Sequence, residues 1–341
     1  MEPIFIIGTE RSGTNLLRLI LNSHSDIAIP HPPHIMKNFS ALEPLYGNLG
    51  KDKNFKRLIS DVVTMVELHP YPWEIKLDQD LILRQARERN LINIFFAIYN
   101  QYLASTGKKR WGCKSTFMIY HVASTRNYYP KAKFIYMVRD GRDVAASAKK
   151  SIFNRYCVYY TARLWRKEQQ IGIDWLGRLS RNEIFLLKYE DLLRNPRNTL
   201  ESLCVFLDEP FQENMLNFFD TQEAMKSASI SLAWKNTSKP IIRENANKFK
   251  AELTAREIDL FEAIAAGELG YFSYPLLNTF YALEAGRCRS AKFRIRYPVE
   301  EIFLMCNVQL RHLFTDKNIA LRLKKYWFLK FISVIRRMPW K

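Results

Sequence analysis

No run in this sequence reaches the roughly 18 apolar residues that a membrane-spanning helix requires, which argues against a helical membrane protein. Five cysteines, Cys113, Cys157, Cys204, Cys288 and Cys306, are odd in number, scattered and without CxxC spacing. Neither a disulfide framework nor a zinc site is expected, and no metal ligands are assigned. The first apolar segment begins at residue 4 with no charged and apolar leader before it, so the expected location is the cytoplasm. Acidic residues are the scarce charge: 34 Asp and Glu against 52 Lys and Arg leave a formal net charge of +18. Polyanions, membrane surfaces and phosphorylated or sulfated ligands are therefore the first partners to expect. Residues 287–341 hold 14 Lys and Arg against three acids, a net +11 of that +18.

What is present is ample apolar content, 48% over 341 residues, enough for one large α/β domain or two smaller ones. The organising stretch is Ile4–Asn15, IFIIGTERSGTN. Phe5, Ile6 and Ile7 form the unbroken apolar run of a strand buried on both faces of a parallel sheet. Gly8 and Gly13 bracket a loop that can wrap an anion, and Leu16, Leu17, Ile20 and Leu21 then recur at helical spacing. The glycines have Walker A spacing, but Thr14 and Asn15 stand where Lys and Ser/Thr belong. The lysine for terminal phosphates and the magnesium-holding hydroxyl are both missing, which argues against an ATP–magnesium site. Arg11 inside the loop offers a planar fork suited to a tetrahedral oxyanion.

After the first helix, Asp26–Ile29 is a short β-like piece and Pro30-His31-Pro32-Pro33-His34 is a proline-stiffened loop. Such a segment can reach the ligand-binding end of an α/β sheet. His31 and His34 are candidate bases, since imidazole titrates near neutrality; the alternative is that both rings only cap or hydrogen-bond. His24 reads as structural. Residues 37–107 read as a helical insertion, with helices at Phe55–Glu67, Leu77–Asn90 and Leu91–Ala104, and Tyr71-Pro72-Trp73 suits either a pocket wall or core. Arg110–Cys113 is a second strand with Lys114-Ser115-Thr116 at its carboxyl end, and a helix is expected over Phe117–Tyr129. A third strand, Ala132–Val138, ends in Arg139-Asp140-Gly141-Arg142-Asp143 and a helix running through Ser147.

GTERSGTN, WGCKST, KFIYMVRDGRDVAASAKKS and LLKYEDLLRNP resemble, in order and spacing, the motifs of sulfotransferases that use 3′-phosphoadenosine 5′-phosphosulfate (PAPS). The likeness is strongest to the branch of tyrosylprotein sulfotransferases and bacterial homologues and extends roughly from Ile4 to Tyr274. It implies that Arg11, Ser12, Gly13, Thr14 and Asn15 hold the 5′-phosphosulfate and that Arg139 and Ser147 hold the 3′-phosphate. Lys114 matches the family lysine that meets the transferring sulfuryl group, Tyr189 a tyrosine near the nucleotide, and Lys239 a lysine that closes over the donor. The product would be 3′,5′-bisphosphoadenosine (PAP). Sulfotransferases for small phenols carry a catalytic histidine two residues beyond the lysine, where this chain has Thr116. The tyrosylprotein branch uses a glutamate on the loop after the first helix, about where Pro32 stands, which makes His31 or His34 the natural substitutes. Asp140, Arg142 and Asp143 are expected in structural ion pairs.

Past about Pro275 the resemblance fades. Pro298 with Glu300 and Glu301 suits a helix start. A further helix over Lys317–Met338 lines up Leu323, Trp327, Phe331 and Val334 on one face, with Arg322, Lys325, Lys330, Arg336 and Arg337 largely on another. Such a helix suits an anionic membrane surface, a partner groove or the protein's own body.

The expected fold is a three-layer α/β domain of P-loop type, a parallel sheet flanked by helices, over residues 1–275, with a basic helical extension over 276–341. The expected function is metal-independent in-line transfer of a sulfuryl group from PAPS to a hydroxyl or amine, with Arg11 and Lys114 stabilising charge and a histidine taking the proton. The acceptor, whether carbohydrate, lipid, peptide or small metabolite, is not legible, and nucleic acid is not expected as a partner. The rival readings are a P-loop kinase for a small molecule and a non-catalytic nucleotide or polyanion binder docked peripherally on membranes.

Overall fold

A computed structural model describes residues 2–151, 155–230, 232–277, 291–315 and 318–337. Cys288, the ends of the expected Lys317–Met338 helix and most of the segment after residue 277 that opens the expected extension lie outside these residues. Strands β1 (Ile4–Gly8), β2 (Ile27–Ala28), β3 (Arg110–Lys114), β4 (Lys133–Val138) and β5 (Ile184–Lys188) form a parallel sheet in the order β2-β3-β1-β4-β5. All residues of β1 and β3 are buried, as parallel strands covered on both faces must be. Ile27 pairs with Arg110 across β2 and β3, and β4 pairs with β5 from Phe134–Ile184 to Val138–Lys188. The expected α/β class is the one found.

The chain divides into two compact units. The first contains Met1–Phe5, Leu21–Ala132 and Lys317–Lys341. Its helices are α2 (Ile35–Phe39), α3 (Asp52–Glu67), α4 (Gln79–Gln85), α5 (Leu91–Thr106), α6 (Val122–Tyr128) and, from the far end of the chain, α15 (Ile319–Ile335). The buried core includes Phe5, whose ring meets Trp111 edge-on at 5.5 Å, and Phe95, which packs on Tyr99 at 4.6 Å. Asp78 and Asn90 cap α4 and α5 by accepting the Leu81 and Asn93 amides. Ala86 turns extended, so α4 is shorter than the expected Leu77–Asn90. The expected helix Phe117–Tyr129 is a 3-10 turn, Thr116–His121, running into α6. His24 is structural, as expected: its Nδ1 accepts the Asp26 amide.

The second unit contains Ile6–Ile20 and Lys133–Asp316. Helix α1 (Thr14–Asn22) starts in it, followed by α7 (Gly141–Ala148), α8 (Val158–Arg178), α9 (Tyr189–Arg194), α10 (Pro196–Leu207), α11 (Gln222–Ile230), α12 (Phe249–Glu252), α13 (Ala255–Tyr271) and α14 (Ala291–Thr315). Trp165 of α8 is fully buried against Phe261 of α13, and Thr254 with Glu257 closes a reciprocal capping box at the start of α13. Pro298 lies inside α14, not at its start; the helix begins at Ala291.

Helix α15 turns its apolar stripe outward. Leu323, Trp327, Phe331 and Val334 are exposed, with Tyr326 beside them. The side turned toward the first unit carries Ile332, which is buried, and Arg336, whose Nη2 meets Asp61 at 2.8 Å. Arg336 also lies 5.2 Å over the Tyr46 ring, and the Tyr46 hydroxyl donates to the same Asp61 oxygen.

Candidate active site

In the second unit, the loop after β1 is held so tightly that its glycines are obligatory. Gly8 has φ +140, and a Cβ there would sit 2.3 Å from the Met137 carbonyl oxygen. Gly13 has φ +91, and its Cβ would strike the Tyr189 ring at 2.4 Å. Arg11 between them adopts φ 73, a left-handed conformation that costs a non-glycine residue roughly 1–2 kcal/mol and persists where the surroundings enforce it.

The loop after β4 does the enforcing. Arg11 Nε donates to Ser147 Oγ on α7 at 3.0 Å, and Arg139 Nη1 donates to the Arg11 carbonyl at 3.3 Å. Arg139 Nη2 donates to the Asn245 carbonyl at 2.8 Å, and the guanidinium lies 4.5 Å over the Tyr189 ring, whose hydroxyl accepts from Asn245 Nδ2. Burial first, and the Arg139 charge second, push Arg11 down to about 10, so it stays protonated at neutral pH beside a second cation. The Ser12 hydroxyl is buried with no hydrogen-bond partner among the described residues.

Behind the loop the contacts are structural. Asn15 Oδ1 accepts from Arg18 Nε at 2.9 Å and its Nδ2 donates to Ser227, while Arg18, itself buried, pairs with Glu223. The Asn15 side chain thus braces α1 and α11, leaving its backbone for any ligand. Asp140 caps α7 and pairs with Arg142 at 2.7 Å, Arg142 also meets Glu262, and Asp143 accepts the Asn247 and Phe249 amides. The expected structural role of Asp140, Arg142 and Asp143 is the one found. Thr14 opens α1 and is buried. Lys239 is exposed after the 3-10 turn Leu232–Ser238, and its ammonium makes no hydrogen bond or ion pair among the described residues.

In the first unit, Lys114 ends β3 and is buried. The next residue, Ser115, meets His34 Nδ1 through its hydroxyl at 3.3 Å. His34 has φ 60, a left-handed residue at the start of α2. Burial pushes its imidazole well below the usual histidine value, helped in order by the charges of Lys114, Lys37, Lys325 and His69. It is therefore neutral at physiological pH, the form a base requires. His31 lies differently: its ring stacks on Tyr71 at 3.9 Å and 10°, near His69 at 5.2 Å, and its carbonyl accepts from Trp73 Nε1. The two histidines that the sequence left equivalent are separated, His34 beside Ser115 and His31 in an aromatic stack.

Sequence reasoning did not single out His69 or Lys325. His69 is buried and pushed well below its usual value by burial, then by the Lys325 charge. Lys325 of α15 donates from Nζ to the Pro33 carbonyl at 3.1 Å. The His-Pro at 69–70, echoing that at 31–32, was the available signal for the first. For the second there was none, because Lys325 read as one of several basic residues on a helix.

The sulfotransferase family model matches residues 3–213, and a sulfotransferase domain model matches residues 169–272. A protein-tyrosine sulfotransferase 2 of Gallus gallus is 23% identical over 286 residues, covering 80% of this chain and 70% of that protein. The sulfotransferase domain of the Synechococcus PCC 7002 olefin synthase superposes with a TM-score of 0.52 at 22% identity, over 81% of this chain and 96% of that one. The sulfotransferase domain from the curacin biosynthetic pathway gives 0.54 at 21%, over 81% and 98%. At these identities the two structures establish the shared fold.

With more than half of its length matched by the family model, this chain belongs to the sulfotransferase family. It is an enzyme that transfers a sulfuryl group from PAPS to an acceptor. The residues of the second unit fit such a donor. Arg11 and Arg139, the buried hydroxyl of Ser12 and the hydroxyl of Ser147 are all donors suited to phosphate and sulfate oxygens. Anionic charge at this loop would relieve the opposition between the two guanidinium groups.

Proposed function

We propose that the loop Arg11–Asn15 holds the 5′-phosphosulfate of PAPS, that Arg139, Ser147 and Tyr189 hold its 3′-phosphate end, and that Lys239 covers it. The observation that carries this reading is the Arg11–Ser147 hydrogen bond, joined by the Arg139 contact to the Arg11 carbonyl. It ties together two loops that are far apart in sequence, as a donor with phosphate on both sides of its ribose requires. In the reaction, the acceptor oxygen or nitrogen bonds to sulfur as the bond from sulfur to the bridging oxygen breaks. Lys114 and Arg11 meet the charge that builds on the leaving phosphate. The acceptor's proton goes to His34, a choice over His31 supported by its neutral ring, its contact with Ser115 next to Lys114, and the engagement of His31 in the aromatic stack. The test is turnover with saturating donor: His34→Gln should abolish most of it and His31→Gln should not, and equal retention in both would remove the base assignment.

A second reading concerns location. Among the described residues no helix is long and apolar enough to cross a membrane. The exposed face of α15, with Leu323, Tyr326, Trp327, Phe331 and Val334 bordered by exposed Lys324, Lys330 and Arg337, supports peripheral docking on an anionic bilayer from the cytoplasmic side.

A further inference from the structure

A lysine turned inward from a helix whose aromatic residues face outward is an inversion of ordinary amphipathic design, because burying an ammonium is unfavourable unless something holds it. Lys325 is that residue. Burial and then the charges of Arg322 and Lys37 push it down to about 7. Among the described residues no carboxylate is one of the groups acting on it. What it does have is the Pro33 carbonyl at 3.1 Å, one residue before the left-handed turn at His34. The helix is fastened around this contact on both sides. Asn318 Nδ2 reaches the Pro70 carbonyl at 3.5 Å near its start, and Arg336 grips Asp61 at its end.

We infer that Lys325 is a positioning residue for His34: its hydrogen bond to the Pro33 carbonyl holds the left-handed turn that points the imidazole at Ser115. The inference rests on the reading of His34 as the base. It makes the C-terminal helix part of the catalytic apparatus as well as a surface element. The geometry is supported by an electrostatic role with the same sign. The groups that act on His34 from neighbouring elements are Lys114 at the end of β3, Lys37 on α2, Lys325 on α15 and His69 after α3, and all of them disfavour its protonated form. Lys325 carries its charge below about pH 7, the window in which a depressed histidine titrates, so it opposes loss of the base on acidification.

Two readouts separate position from charge. In Lys325→Met the carbonyl contact and the charge both disappear. At the pH plateau kcat should fall about tenfold or more while the affinity for PAP stays within about twofold, because the donor loop lies elsewhere in the chain. The acid limb of the kcat/KM profile, and the His34 midpoint followed by NMR of the imidazole protons, should move to higher pH by about half a pH unit or more. Lys325→Arg, which keeps a charged donor, should recover most of both. If Lys325→Met does not fold, Lys325→Gln, which keeps an N–H donor and loses the charge, should show the limb shift with a smaller fall in kcat. Plateau kcat and a His34 midpoint unchanged from the parent protein overturn the inference. An unchanged melting temperature together with both shifts supports it over a structural role for the lysine. Failure of the underlying reading looks different: His34→Gln would then retain turnover, while the NMR midpoint in Lys325→Met would still report whether Lys325 acts on His34.

Discussion

Arg11 Nε and Ser147 Oγ are 3.0 Å apart although 136 residues separate them in the chain. The hydrogen bond locks an arginine in a left-handed conformation onto the last turn of α7, the short helix that follows the loop after β4, and Arg139 closes the arrangement through the Arg11 carbonyl. A loop built this way before any ligand arrives is preorganised, so binding energy is not consumed in ordering it. PAP should raise the melting temperature of the protein in the absence of magnesium. Arg139→Ala should weaken PAP by about 10- to 100-fold, the range expected for charge-assisted hydrogen bonds of about 1.5–3 kcal/mol. Calorimetric titration checks this, and stabilisation by ATP–magnesium with none by PAP would overturn the assignment.

Gly13 gives the sharpest steric test. Alanine there meets a backbone at φ +91 and the Tyr189 ring at 2.4 Å, so both the turn and the ring must shift. Gly13→Ala should destabilise the fold by about 1–3 kcal/mol and eliminate the PAP-dependent thermal shift. Retention of that shift at the parent magnitude would mean the loop does not contact donor.

Lys114 is buried at the end of β3, where a cation is worth more to a developing negative charge than it would be in water. Lys114→Ala should lower kcat by about 100-fold or more with PAP affinity changed by less than about fivefold. A parallel loss of affinity and rate would assign it to donor binding instead.

These sites differ in how far the sequence disclosed them. The strands β1 and β4 and the glycine loop were legible because each is local: a short apolar run, then two glycines at a fixed spacing, then a helical repeat. The roles proposed for Arg139 and Ser147 rest on resemblance, since nothing in the segment distinguishes Arg139, which pairs with Asp143, from Arg142, which pairs with Asp140 and Glu262. His31 and His34 were indistinguishable because their separation depends on Tyr71 and Ser115, which lie 40 and 81 residues downstream. The orientation of α15 was illegible for the same reason in stronger form. Its apolar stripe suited a membrane surface, a partner groove or the protein's own body alike, and the choice is set by Asp61, Pro33 and Pro70, all far away in sequence, which draw Arg336, Lys325 and Asn318 inward. Pro298 misled because proline favours a first helical turn without being confined to it.

Acidification supplies a test of the histidine cluster that needs no substrate. His34 and His69 are both held well below the usual histidine value by burial, whereas in the unfolded chain they bind protons near 6.5. As the pH falls through 6.5 the unfolded state therefore takes up protons that the folded state refuses, and folding stability declines. The urea midpoint should drop between pH 7 and 5. The drop should be smaller in His34→Gln and smaller again in the double variant with His69→Gln. A midpoint with the same pH dependence in all three would exclude these residues as its source.

The outward face of α15 remains to be explained by something other than the protein's own core. Trp327, Phe331 and Val334 are 66%, 63% and 55% exposed, an apolar stripe too continuous to be incidental surface. Exposed Lys324, Lys330 and Arg337 along the same helix favour an anionic bilayer over an apolar protein groove, since each basic residue near such a surface contributes about 1 kcal/mol. The full chain should sediment with phosphatidylserine-containing vesicles at low salt and less so as salt rises, and remain in the supernatant with neutral vesicles. Trp327→Glu with Phe331→Glu should abolish sedimentation while leaving the PAP thermal shift intact, because both side chains point away from the first unit. Sedimentation that survives both substitutions would rule out α15 as the docking element. Concentration-dependent dimerisation of the parent protein, lost in the double variant, would instead identify a second copy of the chain as what covers the stripe.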